Sequence, residues 1–122
     1  LRIPLLLNPP RTGDFILALG NTASAGIASD FKIASKRYSP QLPCFKIGWM
    51  GGMLKDGNRG DHASYWEQDL PAILITDTGP FRNPNYHKSS DVIETLDFDF
   101  LTKTTQATTA MLLEYAGIVD EQ

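Results

Sequence analysis

Two histidines and one cysteine are all the imidazole and thiol that this 122-residue chain contains. No pair of histidines has helical metal-ligand spacing such as H-E-x-x-H, so the chain carries no self-contained zincin motif. Cys44 alone cannot form an intrachain disulfide, and a lone thiol is compatible with cytosol or periplasm. No apolar run approaches the roughly 20 residues that span a bilayer, which argues against a membrane partner. Eleven basic residues face 14 acidic ones for a net charge of -3, and the basic residues are scattered, which argues against nucleic acid as a partner. The glycine-rich stretch Gly48 to Gly60 lacks both G-x-x-x-x-G-K-[ST] and G-x-G-x-x-G, so it reads as a rim loop and not as a phosphate cradle. Ser24, Ser64 and Ser89 sit in no G-x-S-x-G elbow, and Cys44 has no catalytic signature around it, which disfavours nucleophilic serine or cysteine chemistry. Arg59-Gly60-Asp61 spells an adhesion tripeptide, but tripeptides recur by chance.

What is present is an alternation of strands and helices. Phe15 to Leu19 is a compact apolar strand after the punctuation of Pro9, Pro10 and Gly13. Thr22 or Ser24 is placed to cap a helix running to about Tyr38, with Ile27, Phe31 and Ala34 at helical spacing, Lys36 and Arg37 near its end, and Pro40 and Pro43 beyond it. Cys44 to Gly48 reads as a second strand. Asp61 is a good N-cap for a helix beginning at His62, and Pro71 to Ile75 is a third, buried strand. The final helix starts near Asp97 and closes at Gly117, with Leu101, Thr105, Thr108, Leu112 and Tyr115 forming one stripe that reads as its packing face. Such alternation favours an α/β fold with a mainly parallel sheet. Without repeats, low-complexity tracts or a linker, residues 1–122 count as a single domain or part-domain, and the 42% hydrophobic content is enough for a core.

The richest segment runs from Arg59 to Leu96. The third strand stops at Thr76-Asp77-Thr78-Gly79-Pro80, and a loop follows that holds Tyr86 and His87. In open α/β sheets ligands collect outside the carboxyl ends of strands, so this loop sits where chemistry is usually done. Trp49, Met50, Met53 and Phe81 are apolar residues in loops; they could wall a side-chain pocket, although core packing is the expected explanation for at least half of them. Ser90-Asp91 reads as a turn-shaping element.

Gly60-Asp61-His62, Pro71 to Asp77, Phe81-Arg82-Asn83-Pro84-Asn85-Tyr86-His87 and Ser90-Asp91, taken in that order, resemble the C-terminal half of zinc-dependent aminopeptidases, peptidase family twenty-eight, to which glutaminyl cyclases are related. The resemblance covers most of the chain and is strongest in the Asn-Pro-Asn-Tyr-His loop. It implies part of a three-layer α/β/α sandwich with a mainly parallel or mixed sheet. It further implies that His87 is a metal ligand on one of two zinc ions, that Tyr86 polarises the scissile carbonyl, and that Asp61 hydrogen-bonds around the active site. The remaining ligands and the glutamate general base of such enzymes come from the N-terminal half of the same protein, which has no counterpart here. The implied function is therefore that of a C-terminal fragment of an enzyme hydrolysing N-terminal residues from a peptide substrate, inactive alone. The start at Leu1 fits truncation or processing better than a translation start, and a secreted or periplasmic parent is compatible with it. The alternative is a non-catalytic, peptidase-like interaction or structural domain. A sheet cut through its middle exposes a strand edge, so self-association is expected as well.

Overall fold

The structure, a computed structural model, describes residues 12–54 and 56–118; the Pro9-Pro10 punctuation lies outside them. Six named elements organise this region: β1 (Ile16–Gly20), α1 (Ala25–Tyr38), β2 (Cys44–Ile47), α2 (His62–Trp66), β3 (Ile73–Thr76) and α3 (Phe98–Tyr115). Short 3-10 turns occupy Thr22–Ser24, Gly51–Met53, Gly79–Phe81 and Ile93–Thr95. The expected strands and helices are all present, and the chain is a mixed α/β fold.

The sheet order is β2-β1-β3. β1 runs parallel to β2, with Ile16 opposite Cys44 and Leu19 opposite Ile47, and antiparallel to β3, with Leu17 opposite Thr76 and Gly20 opposite Ile73. The sheet is thus mixed, one of the two arrangements that the resemblance implies, and not the mainly parallel one that the alternation of elements favours. The reason lies in the connections. A parallel neighbour needs a crossover, which α1 supplies between β1 and β2; between β2 and β3 the one α-helix among the described residues is the five-residue α2.

β1 is buried on both faces, which is why its sequence is continuously apolar instead of alternating. Ile16 and Ala18 pack with Ala28, Phe31 and Ala34 of α1 and Ala107 and Met111 of α3. Phe15, Leu17 and Leu19 form a second cluster with Ile47, against which Phe45, Met50, Leu54 and Leu74 pack. Phe31 is completely buried, and burial of such a side chain is worth about 2–3 kcal/mol.

The ends of α3 follow their sequence signals, whereas the cap of α1 and the packing face of α3 differ from expectation. Asp97 caps α3, its carboxylate accepting from the Phe100 N–H at 2.9 Å, and Gly117 ends that helix with φ +67. Ser24 takes the N-cap position of α1 but makes no side-chain capping bond; the cap lies one 3-10 turn earlier, where Asn21 Oδ1 accepts from the Ser24 N–H at 3.0 Å and the Ser24 hydroxyl at 2.6 Å. The buried Ser24 hydroxyl instead accepts from the Ala72 N–H at 3.0 Å, tying the entry of α1 to the entry of β3.

The second change concerns α3. Leu101, Leu112 and Tyr115, expected on the packing face, are each about half exposed (49%, 56% and 55%), and the buried residues are Ala107 and Met111. Small side chains decide this: Ala107 meets the Ala28, Phe31 and Ala34 surface of α1 closely, where a leucine would hold the helices apart. Polar contacts clasp the same pair of helices, with Glu114 accepting from Arg37 at 2.7 Å and from the Tyr38 hydroxyl at 2.9 Å. No helix among the described residues is long and apolar enough to cross a membrane.

Candidate functional site

The loop that follows β3 is built residue by residue from local hydrogen bonds. Asp77 Oδ1 accepts from the Gly79 N–H at 2.7 Å, and the Thr78 N–H donates to the Thr76 hydroxyl at 2.9 Å while Thr78 itself adopts a left-handed φ of +71. Asn83 Oδ1 accepts from the Asn85 N–H at 2.8 Å, the side-chain mimicry of a turn that asparagine favours. The Asn83 amide donates to Asp91 at 3.4 Å, so the Ser90-Asp91 element does shape the turn.

Arg82 fastens this loop to the sheet. Its guanidinium donates to the Asp77 carbonyl, to the Thr78 hydroxyl and, at 3.1 Å, to the Phe15 carbonyl, and it lies over the Phe15 ring at 4.0 Å. Burial lowers its pKa, and Asp77 and Asp14 oppose that shift. A guanidinium is so strongly basic that it stays charged there, as its fork of donors requires. Sequence reasoning missed Arg82 as a positioning residue; a lone arginine in a loop rich in Pro and Asn carries no local signal for a carbonyl more than 60 positions away.

Tyr86 and His87 emerge from this pinned loop as a stacked pair, ring centroids 3.9 Å apart and planes 15° from parallel. The Tyr86 ring also lies against Gly79, where an added Cβ would meet Tyr86 Cε2 at 3.4 Å. Neither the Tyr86 hydroxyl nor the His87 ring has a hydrogen-bond partner among the described residues, and His87 is exposed with a left-handed φ of +56. Left-handed backbone is disfavoured for a side chain with a Cβ, so its retention on an exposed loop tip is a feature that functional sites show.

His62 is the opposite kind of histidine. It is only 6% exposed, its Nε2 is 2.7 Å from the Gly57 carbonyl, and its ring meets Trp66 edge-on at 4.6 Å. A carbonyl only accepts, so Nε2 carries the proton and Nδ1, buried without a partner among the described residues, is the bare nitrogen. Gly57 approaches Gly51 so closely that a Cβ would sit 2.0 Å from the Gly51 carbonyl oxygen, and Gly60 has φ +153 with its Cβ position 3.0 Å from His62 Nδ1. His62 therefore anchors the rim loop.

Asp61 takes the N-cap position of α2 but makes no side-chain capping bond, because its backbone is already helical (φ -61, ψ -29). The capping role expected of it is thus corrected. Its carboxylate is exposed, and no hydrogen bond joins it to Tyr86 or His87 among the described residues. The four apolar loop residues are likewise divided. Arg82 brings the Phe81 loop to Phe15, at the start of β1, whereas Met50 bridges Asn21, just past its end. Six residue steps separate Phe15 from Asn21, about 20 Å of strand, so the four cannot wall one pocket. Trp49, Met53 and Phe81 are 57%, 79% and 41% exposed, and only Met50 packs on the core.

Among the described residues no three His, Cys, Asp or Glu side chains converge on a common point. Catalytic zinc takes three protein ligands, and His87 is a single candidate ligand without such companions among the described residues. Cys44 is no substitute: burial pushes its thiol up to about 11, far from thiolate chemistry at neutral pH.

No family model matches the chain, and no solved structure does. Among curated proteins it is similar to the uncharacterized protein YfbL of Escherichia coli strain K12, with 29% identity over 103 residues, covering 84% of this chain and 31% of that protein. The chain thus spans about a third of the length of the relative that it matches.

Proposed function

We propose that this chain is the C-terminal portion of a zinc-dependent aminopeptidase and contributes one metal ligand, His87, and one hydroxyl donor, Tyr86. The observation that carries the reading is the stacked Tyr86–His87 pair, unpartnered at its polar atoms and held by the Arg82-pinned loop at the carboxyl end of a strand. A neutral imidazole offers a lone pair to a metal, and a phenol beside it can donate to an oxygen on which charge develops. Stacking fixes the two rings relative to one another, which such a pair of tasks requires.

In this reading a further polypeptide supplies the other ligands and the general base, and it completes the mixed sheet into a three-layer sandwich. Zinc bound there would polarise the peptide carbonyl and acidify a water; the chain's own part is to hold His87 and Tyr86 in place. Asp61 belongs to the rim at the Gly20 end of β1, away from the Arg82-pinned loop at the Phe15 end, so the reading rests on Tyr86 and His87. Expressed together with such an upstream polypeptide, the chain is expected to bind zinc and release N-terminal residues from peptides. His87→Ala should then lower zinc affinity, whereas Tyr86→Phe should lower turnover with zinc retained. Full activity in both variants would remove the reading.

A second reading, a non-catalytic interaction module, is supported by the apolar surface. Of 15 exposed large hydrophobic residues among the described ones, eight fall between Val92 and Ile118, in the connection to α3, on α3 and just after it. Exposed apolar side chains gathered in one segment are candidates for a contact site. It predicts a chain that associates without zinc and hydrolyses nothing when the upstream polypeptide is supplied.

A further inference from the structure

The stripe that the sequence sets along α3 is not the face that the helix buries, which is Ala107 and Met111. Extended by one step to Phe98, it runs Phe98, Leu101, Thr105, Thr108, Leu112 and Tyr115, with spacings that alternate between three and four positions. That is the repeat by which one helix packs along another. Its four large members are each about half exposed. No charge interrupts it: Asp99, Lys103 and Glu114 lie off the stripe, Lys103 paired with Asp99 and Glu114 with Arg37. The two threonines leave no hydroxyl to strand on burial, because Thr105 donates to the Leu101 carbonyl at 2.9 Å and Thr108 to the Thr104 carbonyl at 2.9 Å. The Tyr115 hydroxyl donates to Asp30 at 2.6 Å, which fixes the last ring of the stripe against α1.

The order of these side chains is the same from either end: aromatic, leucine, threonine, threonine, leucine, aromatic. A two-fold contact demands this kind of self-complementarity, since residue i meets residue j while j meets i. We propose that the stripe is the contact between two copies of this chain, packed as antiparallel α3 helices about a two-fold axis that passes between Thr105 and Thr108. Leu101 then lies against the partner's Leu112, Thr105 against its Thr108, and Phe98 against its Tyr115. This rests on the second reading above, in which the apolar surface is a contact site, and it gives that surface its occupant; His87 and Tyr86 play no part in it.

Charge and size both bear on the choice of a second copy. A two-fold axis turns a face onto itself, so a face of one charge repels its own image; this stripe carries none. An unrelated partner would place no demand on the order of the side chains, whereas a second copy requires the palindrome that is found. Six positions a side fall well short of the roughly 20–30 residues a side of a standard interface. The dimer is therefore a reversible one, with a dissociation constant on the order of 10 μM.

The test is sedimentation of the 122-residue chain at concentrations of about 1–500 μM, where a monomer–dimer equilibrium is expected. Leu112→Glu, at a half-exposed position, should leave the far-UV circular dichroism unchanged and raise the dissociation constant at least about 30-fold, because it sets a carboxylate against the partner's Leu101. Adding Leu101→Lys to it should restore most of the dimer, since the two-fold axis brings the two new charges together. Register is read by oxidative cross-linking in a Cys44→Ala background. A Leu101→Cys chain mixed with a Leu112→Cys chain should form a disulfide-linked pair, and neither should do so alone, because like positions in the antiparallel pair are about 16 Å apart. A chain that stays monomeric across the range would overturn the contact. So would a dimer unmoved by folded Leu112→Glu, or cross-linking of Leu101→Cys chains with one another, the mark of a parallel pair. If Leu112→Glu does not fold, the cross-linking alone decides. A dimer whose chain also hydrolyses peptides once the upstream polypeptide is supplied keeps the contact and removes the non-catalytic module; a monomer that hydrolyses nothing does the reverse.

Discussion

The two loops that carry histidine solve different problems with the same side chain. The rim loop from Gly48 to Gly60 uses glycines for close backbone approach and ends on His62, buried and bonded to the Gly57 carbonyl. The loop from Asp77 to Asp91 is locked by Asp, Asn and Arg side chains and leaves His87 exposed, stacked on Tyr86 and free of hydrogen bonds among the described residues. In the first the imidazole serves the loop; in the second the loop serves the imidazole. That contrast separates a structural histidine from a candidate ligand better than sequence position does.

The hardest blow to the contrast is removal of Arg82. Arg82→Ala deletes hydrogen bonds from a charged donor to two carbonyls and a hydroxyl, and bonds of this class are worth about 1.5–3 kcal/mol each, with overlap. A loss of about 2–3 kcal/mol in urea unfolding is expected, accompanied by faster amide exchange through Asn83 and Asn85. Arg82→Lys should recover less than half, because an ammonium cannot reproduce the fork. Equal stability of Lys and Arg variants would mean that charge alone holds the loop.

Next is His62→Ala, expected to cost about 1–3 kcal/mol by emptying the space beside Trp66 and stranding the Gly57 carbonyl. Gly60→Ala should be similar in direction, since it places a Cβ 3.0 Å from His62 Nδ1 at a φ of +153 that alanine resists. Amide exchange through Asn83 and Asn85, in the other loop, should be unmoved in both. A change there would mean that the two loops communicate. Smaller still is Trp66→Phe, which loses the indole bond to the Ala72 carbonyl at 2.9 Å while keeping an aromatic ring; about 1 kcal/mol is expected from thermal unfolding.

Much of the fold was legible because its punctuation is local. Asp97 and Gly117 bound α3, the Pro40 and Pro43 pair ends α1, and the apolar runs mark all three strands. What escaped depends on residues distant in sequence. The direction of β3 follows from the lack of a crossover helix, and the packing face of α3 follows from Ala107 fitting α1, which an apolar stripe cannot reveal. Tyr86 and His87 could be singled out because they follow a strand end, but Arg82, which holds them, acts on Phe15 across 67 positions. Asp61 misled as a cap because its residue type allows the role and its backbone angles do not.

The smallest effect on stability is predicted where the function is proposed. His87 sits at φ +56, and a residue with a Cβ gives up roughly 1 kcal/mol there relative to glycine. Exposure means that its ring contributes little beyond its stack on Tyr86. His87→Ala should therefore change unfolding by less than about 0.5 kcal/mol, and His87→Gly should stabilise by about 0.5–1 kcal/mol. A position whose native residue is worse for the fold than glycine is one that stability does not explain. Destabilisation of more than about 1 kcal/mol by His87→Gly, read from urea midpoints, would make His87 a structural residue like His62 and erase the distinction between the two loops.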